Sequence, residues 1–452
     1  MTRGDLAPPQ VEPVPTEQDE LQALIEEARQ RARRRRLSYA AVSTLAVLLA
    51  GVLFVFFGGG GGHSAASSRA PKKAPGRAVA ASEGQETVSQ LTAGQLQTLS
   101  FLGPRTGYGF FQANGNATCV DEVAKTTDGG AHFSSLVRVT TFGCGGNDPV
   151  TMLTFDAHGD GFLYGPLLFL THDGGRSWTR DHVPSPVVAV SAIGQSVWMV
   201  EAVCSGRVVD GLGSCPLRLL ESSNGGGTWT PSSSQPLGAI ASSGSAEEPA
   251  QGASWLVRVS TSAAYLLAGP KVTAGVRSPV EVPLWYTDNG GASWTRRHID
   301  CGKSAALSVA LSAAPDGALV AVCASEPGAG FQPKFSSVSI NGGRTWSVHG
   351  TCIALGACRG NNPPNDGYLG NVDAVSANTA YLIGERSVLL VTHDGGRNWQ
   401  AEPTVNDTAG GPAQVIFFGP DDGVALAQTN AIDIWHTSNA GKTWTAVTPT
   451  VS

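Results

Sequence analysis

The chain is predicted to be all-β, a seven-bladed β-propeller of four-stranded antiparallel blades, preceded by a cytoplasmic helix and one transmembrane helix. Three observations lead there. Seven octads repeat nearly the same residues, at Thr126–Phe133, Thr171–Trp178, Ser222–Trp229, Thr287–Trp294, Ser339–Trp346, Thr392–Trp399 and Thr437–Trp444. Successive copies start 45, 51, 65, 52, 53 and 45 residues apart, and a period of that size marks one four-stranded sheet with its loops. Ahead of them, residues 37–57 carry no charge.

Each octad reads Ser/Thr, any residue, Asp/Asn, any residue, Gly, two further residues, then Trp or Phe. The third-position side chain (Asp128, Asp173, Asn224, Asn289, Asn341, Asp394, Asn439) can bond the turn backbone, and the fifth-position Gly supplies a positive φ. The closing aromatic (Phe133, Trp178, Trp229, Trp294, Trp346, Trp399, Trp444) opens the next strand with a ring able to wedge between sheets. A buried indole N–H needs a partner. Phe133 has none to offer, so the first copy is expected to be the most degenerate.

These octads resemble the Asp-box (BNR) repeats of sialidases, sortilin-type receptors, Asp-box xyloglucanases and the propellers that assist photosystem II assembly. The resemblance covers residues 88–452 and implies that each box lies in the turn between the third and fourth strands of a blade. An aromatic-rich first strand, a Gly-rich turn and a strand entering Thr-Thr-Asp-Gly-Gly or Thr-His-Asp-Gly-Gly are most similar to the photosystem-assembly type. That likeness implies a scaffold role, but one fold hosts many functions.

Along the chain, residues 1–36 form a cytoplasmic segment. From Glu17 its apolar Leu21, Leu24, Ile25 and Ala28 fall at helical spacing, with acids early and arginines late, as a helix dipole favours. Residues 37–57 are long enough to span a bilayer at about 20 residues per crossing. Arg29, Arg31 and Arg33–Arg36 precede them, so the positive-inside rule places the N-terminus in the cytoplasm and the propeller outside. The rival reading is a signal peptide cut near Ala65 or Ala66. Residues 58–85, rich in Gly, Ala and Pro, are a flexible linker, and 86–452 form the propeller. For ring closure two routes stay open: blade 1 packing on blade 7, or an added strand from Glu86–Leu91.

Residues beyond Arg77 hold 19 basic and 29 acidic side chains, a formal charge of −10. Nucleic acid is therefore excluded as the main partner, since it requires a basic footprint. All eight cysteines follow the apolar segment, which suggests disulfides in an oxidising compartment. Strand counting puts them on the rim away from the octads, in the sequential pairs Cys119 with Cys144, Cys204 with Cys215, Cys301 with Cys323 and Cys352 with Cys358. The same rim receives the long insertions 232–252, 269–283, 325–333 and 351–370. Staples and insertions on one rim point to a ligand surface for a protein or envelope glycan.

Catalytic signatures are missing. No Phe/Tyr-Arg-Ile-Pro sequence of the sialidase type occurs, and Arg105 and Arg277 do not fit its arginine clamp. No cysteine or histidine spacing suggests zinc, and no strand and helix frame the glycines at 58–62, so no metal, cofactor or catalytic residue is assigned. The alternative is a glycoside hydrolase using two carboxylates among Asp148, Glu201, Asp210, Glu247, Glu248, Glu281 and Asp366 on the inserted rim. The sequence thus favours a membrane-anchored, extracytoplasmic, non-catalytic binding module.

Overall fold

The computed structural model describes residues 89–90 and 95–452, except 115–117, 145–149, 205–207, 210–211, 233–237, 242–253, 269–281, 303–305, 307, 326–331, 353–357, 360–362, 364–368, 385–387, 403–404, 406–411 and 429–431. The expected basic helix, membrane span and linker lie outside the described residues, as do most of the inserted loops. Among the described residues no helix is long and apolar enough to cross a membrane.

Seven antiparallel sheets follow one another. Blade 1 holds Leu96–Phe101, Gly107–Asn114, Thr118–Thr126 and Val137–Gly143, blade 2 begins at Met152, blade 3 at Val187, blade 4 at Ser254, blade 5 at Ser308, blade 6 at Leu369 and blade 7 at Pro412. The first strand of every blade touches the first strands of both neighbours, including blade 7 with blade 1. The first strands therefore line the axis of a closed ring.

The core is not one mass but seven slabs, one between each pair of neighbouring blades. Blade 5 shows why its strands read as unbroken apolar runs. In Leu319–Ala324 all six residues are buried; Leu319, Ala321 and Cys323 face blade 4, while Val320 and Val322 face blade 6. Successive side chains point to opposite faces of a strand, and here both faces are covered.

Closure uses both routes the sequence left open, together with a third strand. Leu96, Leu99 and Phe101 of blade 1 pack on Val424, Leu426, Ile432 and Ile434 of blade 7. Ser89–Gln90 pairs antiparallel with Thr450–Val451, and Thr450–Val451 runs parallel to His132–Phe133 at the start of blade 1's exit from its octad. Blade 7 keeps its own fourth strand, Thr445–Val447, so the last residues cross the seam as an extra clip.

Three of the expected disulfides are present: Cys119–Cys144, Cys204–Cys215 and Cys301–Cys323. Cys352 and Cys358 are direct backbone partners in a two-stranded ladder, although their side chains lie outside the described set. All eight sit at strand ends opposite the octads, because third strands end in the octad turn and second-to-third and between-blade connections occupy the other rim.

Candidate functional site

The octads supply the local frame. In every copy the first-position hydroxyl donates to the third-position Oδ1 at 2.8–3.1 Å and accepts the fifth-position N–H at 2.8–3.1 Å. The same Oδ1 accepts the seventh-position N–H at 2.8–3.0 Å. Two short side chains thereby satisfy one hydroxyl and two backbone N–H groups in one turn.

The remaining carboxylate or amide atom sorts the seventh residue. Where the third position is Asp, the seventh offers a donor: His132 Nδ1 sits 2.7 Å from Asp128, Ser177 Oγ donates to Asp173 at 2.6 Å, and Asn398 Nδ2 donates to Asp394 at 2.5 Å. Where it is Asn, the seventh is a hydroxyl that accepts from Nδ2, namely Thr228, Ser293, Thr345 and Thr443. These bonds leave the carboxylates unsuited to proton transfer. The Ser177 bonds hold Asp173 down at about 2; burial pushes Asp128 and Asp394 up, but the bonds from His132 and Asn398 outweigh it and both lie below the usual carboxylate range.

The backbone asks for more glycine than the consensus implied. Both the fourth and fifth positions have positive φ, and the fourth is Gly in six copies and Ala440, φ 57°, in the seventh. In blade 1 the fifth position also lies close against the preceding blade. A Cβ on Gly130 would lie 2.5 Å from Ile434 Cδ1 of blade 7.

Octad carbonyls accept bonds from the blade before. Ser336 Oγ donates to Gly396 O at 2.8 Å, Tyr381 hydroxyl to Ala440 O at 2.5 Å, and His436 Nε2 lies 2.6 Å from Gly129 O across the seam.

The closing aromatics lie in the slabs between blades. Trp178 meets Phe155 edge-on at 5.8 Å, and Trp444 does the same to Tyr381 at 6.2 Å. Trp229, Trp346 and Trp399 donate their indole N–H to Asp181 Oδ2, His298 O and Ser336 Oγ. Among the described residues Trp178, Trp294 and Trp444 have no such partner and are held by ring packing. Phe133 packs edge-on against Phe111 at 5.2 Å, and its octad keeps the full bond set. What differs in blade 1 is the exit from the octad.

In blade 2 the fourth strand, Thr179–Asp181, follows the octad Trp at once and pairs with the third. In blade 1 the clip Thr450–Val451 takes the edge of His132–Phe133, and the fourth strand starts only at Val137. Residues 134–136 bridge the step, tied by Ser134 Oγ accepting Lys125 N–H at 3.1 Å. Beside this step a cleft of about 590 Å³ opens between blades 1 and 2 on the octad rim, floored by Tyr108, Val123 and Phe133 and edged by Lys125, Asp128, His132, Ser135, Asp173 and Arg176. Tyr108 is stacked on Phe155 with centroids 3.5 Å apart, and Lys125 Nζ lies 5.6 Å over its ring.

Of the carboxylates expected on the disulfide rim, Glu201 alone lies among the described residues. Glu201 is fully buried, with Arg218 on the neighbouring strand donating Nε to Oε2 at 2.9 Å and Nη2 to the same oxygen; burial pushes its carboxyl up, and Arg218 pulls the other way. It is a buried pair and not a solvent-facing rim acid. Asp148, Asp210, Glu247, Glu248, Glu281 and Asp366 lie outside the described residues. Neither the cleft nor its displaced strand was visible in the octad pattern. The available signal was the short segment Thr448-Pro-Thr-Val451, with three β-branched residues beyond the last blade's fourth strand.

Residues 330–451 match the family model described as Photosynthesis system II assembly factor YCF48. A solved structure of YCF48 bound to D1 peptide is similar at 18% identity and TM-score 0.47, covering 78% of this chain and 96% of that one. YCF48 from Cyanidioschyzon merolae is similar at 16% identity and TM-score 0.33, covering 64% and 95%. The GH74 xyloglucanase from Xanthomonas campestris gives 12% identity and TM-score 0.46, covering 81% and 55%. No curated protein sequence matches. The chain is an Asp-box (BNR) repeat seven-bladed β-propeller whose final blades match the photosystem II assembly-factor family.

Proposed function

We propose that this chain is a membrane-tethered, extracytoplasmic scaffold that binds a protein partner through its propeller and performs no chemistry. The observation that carries the reading is the cleft between blades 1 and 2, a concave surface on a rigid frame whose acidic groups are already committed to octad bonds. Concave sites with a few placed polar groups on a stiff scaffold are where ligands collect. The assembly-factor family model supports the scaffold class. The apolar run 37–57 and its arginine-rich flank support the anchor and its orientation.

Of the carboxylates a glycoside hydrolase would use on that rim, Glu201 is buried and paired with Arg218. Photo-crosslinking in native membranes tests the proposal, with a benzophenone side chain at Ser135 in the cleft or at the exposed Val203 beside the Cys204–Cys215 bridge. A discrete protein adduct from Ser135 is expected. Adducts from Val203 alone would move the site to the other rim, and turnover of an aryl glycoside by the purified chain would replace scaffold with enzyme.

A further inference from the structure

The cleft between blades 1 and 2 has an uneven supply of free hydrogen-bonding groups, and that imbalance says what fits it. Both oxygens of each of its two acids already accept hydrogen bonds from within their own octads. Asp173 takes Thr171 Oγ1 and Ser177 N–H on Oδ1 and Ser177 Oγ on Oδ2; Asp128 takes Thr126 Oγ1 and His132 N–H on Oδ1 and the His132 ring on Oδ2.

Among the described residues neither of its two strong cations, Lys125 and Arg176, has an ion-pair partner, and both are exposed. Arg176 differs in this from its counterparts at the same octad position. Arg344 donates back to Asn341 O at 3.2 Å and Arg397 to Asp394 O at 2.8 Å, whereas the Arg176 guanidinium makes no such return and edges the cleft. Lys125 is steered toward the same space by the Tyr108 ring beneath it.

We propose that the cleft receives an acidic segment of a protein partner, an Asp or Glu carboxylate bridging Lys125 and Arg176 while a neighbouring apolar side chain covers Tyr108. This rests on the cleft being the docking site. A planar guanidinium and an ammonium on opposite walls suit a carboxylate, the first as a two-bond fork and the second as a point charge. Asp128 and Asp173 stay ionised and balance the two cations in net charge, so the segment is selected by direct contact with Lys125 and Arg176 and not by a long-range field.

The test uses the full chain in a nonionic detergent and a fluorescein-labelled decapeptide, Gly-Ser-Leu-Glu-Glu-Glu-Glu-Leu-Ser-Gly, read by anisotropy at low salt beside its Gln and Lys analogues. The Glu peptide is expected to bind tightest. Lys125→Gln and Arg176→Gln should each weaken it about three- to fivefold, the range for an exposed charged pair, and the double variant by about tenfold or more. Arg344→Gln should leave it unchanged.

Equal loss in Arg344→Gln would overturn the proposal, because attraction would then be spread over the rim. So would equal binding of the Glu and Gln peptides. Ser135→Trp, which fills the cleft, separates the two layers of the claim. If it abolishes binding of Glu and Gln peptides alike, the cleft is a docking site without acidic preference; if it changes nothing, the docking site itself is wrong. An unchanged melting temperature in each variant excludes misfolding as the cause.

Discussion

Asp373 offers the sharpest quantitative test of how the ring is held on its inner side. It lies on the innermost strand of blade 6, where Oδ2 accepts the Phe417 N–H of blade 7 at 2.6 Å and Oδ1 accepts the Ser312 hydroxyl of blade 5 at 3.4 Å. The flanking innermost strands, Ser308–Ala313 and Pro412–Phe417, carry no titratable side chain. Burial without a cation raises the carboxyl to about 7 from 3.8, against the bonds from Phe417, Ser312 and Ala374, which lower it.

The folded chain therefore keeps a proton that the unfolded chain has lost between those two values. Stability from the neutral acid is fully present below pH ~4 and is lost as pH rises through about 7. The shift sets an upper bound of ~4 kcal/mol. Solvent reaches part of the side chain, so about 2 kcal/mol is the working value.

Asp373→Asn keeps an acceptor for Phe417 and cannot ionise. The urea midpoint of the full chain in nonionic detergent should be nearly the same for the two proteins near pH ~3.5, below the unfolded value, with the variant more stable by about 2 kcal/mol at pH 8. An identical difference at both pH values, or a variant weaker at pH 8, would refute the reasoning.

Thr392→Val, nearly isosteric at a buried octad hydroxyl, removes the acceptor of the Gly396 N–H; a loss of about 2–3 kcal/mol in the same assay is expected. Ala440→Gly, at the one non-glycine fourth position with φ 57°, should raise stability by about 0.5–1 kcal/mol, and a loss would contradict the account of that turn. His436 is lowered by burial despite its bond to Gly129 O. Its contribution to the seam between blades 7 and 1 is present above pH ~6.5 and lost as pH falls below. Amide exchange at Gly129–Phe133, corrected for intrinsic rates, should accelerate from pH 7 to 5 in the wild type, with the change much reduced in His436→Gln.

Much of this fold was legible because propellers repeat their physics. A turn needing a hydroxyl, an Asx side chain and two left-handed residues reappears seven times, and chance does not do that. The rim assignment of the cysteines followed from counting strands within the blade layout that the Asp-box resemblance implies. The role of the first-position hydroxyl was less visible, since Ser and Thr are common in turns and only the bond to the fifth N–H shows why no other residue serves. The pairing of Asp with a seventh-position donor, and of Asn with a hydroxyl, was present in the seven octads as covariation but has meaning only once Oδ2 and Nδ2 are seen facing that residue.

The cleft was out of reach for a different reason. It depends on Thr450–Val451 pairing with His132–Phe133, a contact far apart in sequence that involves only two residues on each side. Periodicity reports what blades share, and this feature exists because blade 1 differs from the rest.

Hydrogen–deuterium exchange on the full chain with and without the tetraglutamate-containing decapeptide tests most directly whether ligand sits on the octad rim. Slower exchange at Val123–Val137 and Asp173–Arg176, with the disulfide rim unchanged, is the predicted result. Protection confined to the loops around Cys204, Cys215, Cys301 and Cys352 would contradict it.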